Sequence, residues 1–147
     1  MSEGNKELCR RYIEEVWNNR NMAAIDELFG ANFIDHDPSS PDFGRGPESV
    51  RKRVNYYVTA FPDTRFSIEE LLAEGDHCVI RWTVRATHRG ELRGVPPTGR
   101  QVTITGTTTA RVANGKFVES YSNWDALGLM QQLGAVEKQR AVGRAAG

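Results

Sequence analysis

The chain has 147 residues, and its 19 lysines and arginines balance its 19 aspartates and glutamates, giving a pI near 6.8. That length suits one domain, spanning 1–147 with an ordered core expected over about 6–134, able to bury about two thirds of its unfolded surface. Neutral charge without a basic run argues against nucleic acid or an anionic membrane as partner, and no apolar stretch reaches the ~20 residues of a spanning helix.

The first predicted helix covers Asn5 to Asn19, with Leu8, Tyr12, Ile13, Val16 and Trp17 at helical spacing and Arg10, Arg11, Glu14 and Glu15 opposite. A short second helix carries Ile25, Leu28 and Phe29, with Asn21 as its expected N-cap and Gly30 as its end. Phe33–Pro38 (Phe-Ile-Asp-His-Asp-Pro) reads as a brief extended segment, and Ser39–Gly46 is rich in turn formers. The third helix starts near Pro47 and places Val50, Val54, Tyr57, Val58 and Phe61 on one stripe before Phe61-Pro62 stops it. From Thr64 the period falls to two. Strands are expected over Phe66–Ala73, His77–His88, Gln101–Val112 and Lys116–Trp124, with Asn114-Gly115 as a hairpin turn. A last helix, Ala126–Leu133, ends at Gly134, and the tail 135–147 is expected to fray.

Helices first and strands afterwards is an α+β order, with a mostly antiparallel, strongly curved sheet covered by helices on one face. An open curved sheet leaves its other face needing cover, so a homodimer or higher homo-oligomer is expected. Cys9 and Cys78 fit no metal spacing and read as idle thiols in a reducing compartment. With no signal-peptide pattern at the N-terminus, the expected location is cytoplasmic.

Phe33–Pro38, Thr87–Gly90 (Thr-His-Arg-Gly), Gly94–Arg100 (Gly-Val-Pro-Pro-Thr-Gly-Arg) and Asn123–Gly134 (Asn-Trp-Asp-Ala-Leu-Gly-Leu-Met-Gln-Gln-Leu-Gly) resemble the SnoaL-like polyketide cyclases. These belong to the NTF2-like, cone-shaped α+β proteins. The resemblance spans roughly Lys6 to Gly134 and implies a cavity between helices and sheet that receives a small apolar ligand. It also implies ring closure by intramolecular aldol condensation with no cofactor and no metal, one aspartate serving as acid and base. That aspartate is matched by Asp125.

In ideal strand register Phe117, Glu119, Tyr121, Asn123 and Asp125 share one face, and that mixture suits the wall of a partly polar cavity. Asp125 is equally a helix N-cap, and the two roles are compatible because a helix start favours the ionised carboxylate. His36 reads either as a pocket-edge donor to a carbonyl or as a loop imidazole paired with Asp35 or Asp37. A metal at Asp35-His36-Asp37 is rejected, since consecutive strand residues point to opposite faces. Ile80, Trp82, Val84, Ala86 and His88 form a period-two stripe, and His88 at its end reads either as a polar tip reaching the cavity or, ahead of that, as a half-buried histidine at a strand end. Arg81 stands opposite in ideal register and reaches the pocket only through a bulge.

The pocket set is therefore His36, Arg81, Trp82, His88, Tyr121 and Asn123, with Asp125 as acid/base. The expected function is cyclase-like, lyase or isomerase chemistry on an apolar polycarbonyl molecule; the alternative is a non-catalytic ligand-binding protein. Epoxide hydrolysis ranks third. The related limonene-epoxide-hydrolase group uses an aspartate–arginine–aspartate set, and Thr83 stands where its first aspartate would fall.

Overall fold

The structure, a computed structural model, describes residues 2–137; residues 138–147, most of the tail expected to fray, lie outside the described residues. Helix α1 spans Ser2–Arg11, and the chain continues in wider π-helical turns over Tyr12–Asn18. The Asn19 N–H reaches back five residues to the Glu14 carbonyl at 2.9 Å. The extra residue in the turn brings Ile13, Val16 and Trp17 into the core while Arg11 and Glu15 stay paired at 2.8 Å near the surface.

Helix α2, Ala24–Leu28, starts later than expected. Asn21 supplies only its backbone carbonyl, to the Ala24 N–H at 3.2 Å, and no side chain caps this helix. It also ends before Gly30, because Phe29 is already extended and opens strand β1, Phe29–His36. The gain is aromatic packing. The Phe29 ring lies 4.7 Å from Phe33, 5.1 Å from Phe117 and 5.1 Å from Tyr12, contacts worth more than another helical turn at a strand-forming residue.

Helix α3, Gly46–Ala60, carries Pro47 in its first turn and buries Val50, Val54 and Ala60. Its first residue has φ +74°, and a Cβ there would sit 2.6 Å from the Ala31 carbonyl oxygen, so only glycine fits against β1.

Strands β2 (Arg65–Glu74), β3 (His77–Thr87), β4 (Gln101–Ala113) and β5 (Lys116–Trp124) complete a sheet of order β1-β5-β4-β3-β2. All neighbours are antiparallel except β1, which runs parallel to β5. Asn114 and Gly115 turn the β4–β5 hairpin at φ 53° and 75°, the positive values expected of that pair. Helix α4, Ala126–Gln132, follows β5. The architecture is the NTF2-like α+β fold, and none of its described helices is long and apolar enough to cross a membrane.

Two irregularities set which side chains face inward. In β4–β5 pairing, Arg111 opposes Glu119 but Val112 opposes Phe117, leaving Val118 as an extra residue. A one-residue bulge exchanges the two faces of everything beyond it. Glu69 is the corresponding extra residue in β2, opposite an unbroken β3.

The chain between β3 and β4 is tied to α3, since the Arg89 and Gly90 N–H groups both donate to the Ala60 carbonyl. Asp63 makes a second tie, accepting the Thr87 N–H and hydroxyl at 2.7 Å each. Desolvation works against its charge, but the Thr87 hydrogen bonds outweigh it and hold the carboxyl below the usual aspartate value. A depressed carboxylate pKa stabilises above the unfolded value of about 3.9 and is lost as pH falls through the folded value. Asp63→Ala should therefore cost about 1 kcal/mol at neutral pH. In urea denaturation the gap from the parent should close in acid below about pH 4.

Candidate active site

Between the helices and the sheet lies a cavity of about 120 Å³. It is roughly ten times the space one water requires and close to the ~150 Å³ of an apolar cavity that takes up benzene. Trp17, Phe29, Phe61, Phe66, Trp82 and Phe117 form much of its wall, and Val102, Ile104 and Leu129 close the apolar end.

Its polar end is built on β1. Asp35 near the end of that strand and Asp37 just after it point inward, and His36 between them points outward. Arg53, on the inner side of α3, bridges them: Nη2 lies 2.9 Å from Asp35 Oδ2 and Nη1 lies 3.0 Å from Asp37 Oδ2. The side chains are 9 % and 3 % exposed for Asp35 and Asp37 and 13 % for Arg53, so all three charges are largely withdrawn from water. Burial alone would lower the Arg53 pKa, but Asp35, Tyr12 and Asp37 outweigh it and hold the guanidinium above its usual value.

The carboxylates differ in what remains open. Asp37 accepts from the Ser39 N–H, the Ser40 hydroxyl, the Trp124 indole N–H and Arg53, filling its four acceptor positions. Asp35 accepts the Ser120 hydroxyl at 2.6 Å, the Ser122 hydroxyl at 3.1 Å and Arg53, leaving one position free. A directed chain supports it. The Trp82 indole can only donate, and does so to Thr108 Oγ1 at 3.1 Å; Thr108 then meets Ser122 at 3.2 Å, and Ser122 donates to Asp35. A second hollow of about 240 Å³, beside loop residues Ser40–Gly44, shares Asp35, Asp37 and Arg53 with the main cavity.

Two tyrosines line the same region. Burial pushes the Tyr12 hydroxyl up to about 12 despite the nearby Arg53 charge, and burial also raises that of Tyr57, whose oxygen is 2.5 Å from Ser40 Oγ. Both stay neutral donors at ordinary pH.

Of the residues expected from sequence, Trp82 lines the cavity and the others do not. Asp125 is corrected to a helix cap: it is exposed, and its Oδ1 accepts the Gly128 N–H at 2.8 Å. The Val118 bulge is the reason. It turns Ser120, Ser122 and Trp124 inward and puts Glu119, Tyr121 and Asn123 outside, with Tyr121 51 % exposed. His36 is corrected to the outer face, 2.8 Å from Glu119 Oε2 and stacked on Tyr121 at 4.4 Å, although it also borders the second hollow. The His36 hydrogen bond holds Glu119 below its usual pKa.

Arg81 points outward to Glu70 at 3.1 Å, because the β2 bulge falls across from it and leaves β3 regular. His88 is fully buried against Phe61 rather than on the cavity surface. Thr98 meets its Nδ1 through both its N–H at 3.2 Å and its hydroxyl at 3.1 Å, and Nε2 has no partner among the described residues.

Sequence reasoning passed over Asp35, Asp37 and Arg53 as a unit. The available signals were two aspartates two apart in an extended segment, and an arginine on a stripe with Val50, Val54 and Tyr57.

The family model for SnoaL-like polyketide cyclases matches residues 7–133. A candidate polyketide cyclase from Acidithiobacillus ferrooxidans is similar at 32% identity and TM-score 0.81, over 90% of this chain and 95% of that one. AclR, a candidate hydroxylase from Streptomyces galilaeus, matches at 28% identity and TM-score 0.80, covering 94% and 85%. A candidate SnoaL-like polyketide cyclase from Jannaschia sp. shares the fold at TM-score 0.83 and 23% identity, covering 92% and 94%. Among curated proteins none matches.

Two substitutions probe this geometry. A methyl at Gly106 would overlap the Trp82 ring and the Trp124 Cβ, so Gly106→Ala should destabilise by about 1–3 kcal/mol in urea and weaken uptake of an apolar fluorophore. Asp125→Ala should cost about 1 kcal/mol, the value of a lost N-cap, and leave fluorophore binding unchanged. Reduced fluorophore affinity in Asp125→Ala would place that carboxylate at the ligand after all.

Proposed function

The chain belongs to the SnoaL-like polyketide cyclase family, and from that premise we propose cofactor-independent acid–base chemistry on a compact, mostly apolar carbonyl compound, with Asp35 as the proton-transfer group. The reading is carried by the Asp35–Arg53–Asp37 cluster at the polar end of an aromatic cavity. Asp37, with its acceptor positions filled, holds Arg53 in place. Asp35 keeps one oxygen position for a substrate proton.

The sequence of events follows from charge. Two carboxylates and one guanidinium carry a net charge of minus one, and the free acceptor position of Asp35 is where that charge can receive a proton. Asp35 takes a proton from a carbon flanked by carbonyls, and the electron pair moves onto the carbonyl oxygen as an enolate. The enolate carbon attacks a second carbonyl, forming a carbon–carbon bond and an alkoxide. Protonated Asp35 then returns its proton to that alkoxide, closing the cycle with atoms and charge conserved. The main cavity holds about one ring, so a larger polycarbonyl chain would extend past Arg53 into the second hollow.

The same cluster supports a second reading, hydrolysis of an epoxide. One carboxyl would protonate the ring oxygen while the other activates water, with Arg53 between them. Label from oxygen-18 water enters the product in that reaction and not in aldol closure.

The test needs no identified natural substrate. A panel of cyclic 1,3-diketones in deuterium oxide should lose the signal of the proton between the carbonyls faster with the protein present. Asp35→Asn should slow that exchange by about 10²-fold or more, and Asp125→Asn should leave it near the parent rate. Exchange that survives Asp35→Asn intact, in a protein with an unaltered circular dichroism spectrum, would remove Asp35 from the mechanism.

A further inference from the structure

Proton removal by Asp35 leaves negative charge on the substrate oxygen, and the donors of the polar end are mostly committed. Arg53, Ser120 and Ser122 are bonded to the two carboxylates, the Trp124 N–H belongs to Asp37, and the Tyr57 hydroxyl is paired with Ser40. Tyr12 differs. It lines the cavity, and its oxygen accepts from the Trp17 indole N–H, while no described residue accepts its own O–H proton. Its ring is held edge-on by Phe29 at 5.1 Å and Phe117 at 6.1 Å, so the hydroxyl is fixed in place. Tyr12 is nevertheless only half-buried by surface area, while lying within the core cluster: its free surface is cavity surface.

Local winding sets this position. Tyr12 is the first residue of the π-helical stretch, which also supplies Ile13 and Trp17 to the wall. Insertions of this kind recur at functional sites because they re-aim side chains that a regular α-helix would space otherwise.

We infer that Tyr12 is a catalytic residue whose hydroxyl donates the hydrogen bond holding the enolate oxygen of the substrate, which assigns the substrate to the enolisable carbonyl compounds. The inference rests on the reading of Asp35 as base. When Asp35 takes the proton, the cluster goes from minus one to neutral and the enolate carries the charge. A neutral phenol beside Arg53 stabilises that product more than the uncharged ketone, and so lowers the barrier. Its raised pKa keeps the phenol protonated throughout.

The probe is 4-nitrophenolate, an oxyanion on a single ring, followed by its visible absorbance. Asp35→Asn mimics the protonated base and should bind the anion about tenfold tighter than the parent. Adding Tyr12→Phe should then weaken it by about tenfold or more, the range for a hydrogen bond to a charged acceptor. Affinity for neutral nitrobenzene should stay within about twofold, because Phe keeps the ring. Unchanged 4-nitrophenolate affinity in Asp35→Asn/Tyr12→Phe overturns the role of Tyr12 and leaves Asp35 standing. Absence of any gain in Asp35→Asn removes the base assignment and this inference with it. Should the Phe variant not fold, 3-fluorotyrosine at position 12 decides: its more acidic hydroxyl must tighten 4-nitrophenolate binding, and no change overturns the proposal.

Discussion

Arg53 between Asp35 and Asp37 is the interaction on which the interior of this protein depends. Three charges withdrawn this far from water would each cost several kcal/mol if left alone, and the pairing is sustained because hydrogen-bond donors occupy all but one of the carboxylate acceptor positions. Much of the surrounding structure meets that demand. Past its register shift, β1 brings Asp35 inward and leads to Asp37 just beyond its end, α3 aims Arg53 at them, and the loop after β1 turns back so that Ser39 and Ser40 reach Asp37. Strand β5 supplies Ser120, Ser122 and Trp124 from the third side.

The last contribution exists because of one extra residue. Without the bulge at Val118 the inward face of β5 would continue as Glu119, Tyr121 and Asn123, bringing further charge and bulk against Asp35. With it, two small hydroxyls and an indole N–H arrive, all donors toward carboxylate oxygens. A bulge also strengthens the local twist of a strand, which suits a sheet that wraps a cavity. Glu119 goes instead to the outer face, where His36, Arg111 and Tyr121 satisfy it.

Polarity is sharply divided within the cavity. Aromatic and aliphatic walls exclude water, which strengthens the electrostatics of the one charged end and leaves an unfilled acceptor on Asp35 as the point where a substrate proton can be received. Gly106 serves the same partition by packing: lacking a Cβ, it lets the Trp82 ring lie across the sheet and place its N–H on Thr108. The apolar wall and the hydrogen-bond chain to Asp35 thus share one residue. Trp124 has a similar double use, its ring on the cavity and its N–H on Asp37.

The sequence by itself determined the elements and their order. Helical spacing before Phe61, period-two spacing after Thr64 and the Asn114-Gly115 turn are local signals, and local signals survive because propensity and patterning act over a few residues. The cap at Asp125 was legible for the same reason. The candidate site was not. Its members come from the π-helical stretch, β1, α3 and β5, far apart in the chain, and the face of β5 turned on a bulge that no alternation pattern announces. Only tertiary structure decided which carboxylates are buried, because burying charge is permitted solely where partners from other elements converge, and that convergence is a property of the packed fold.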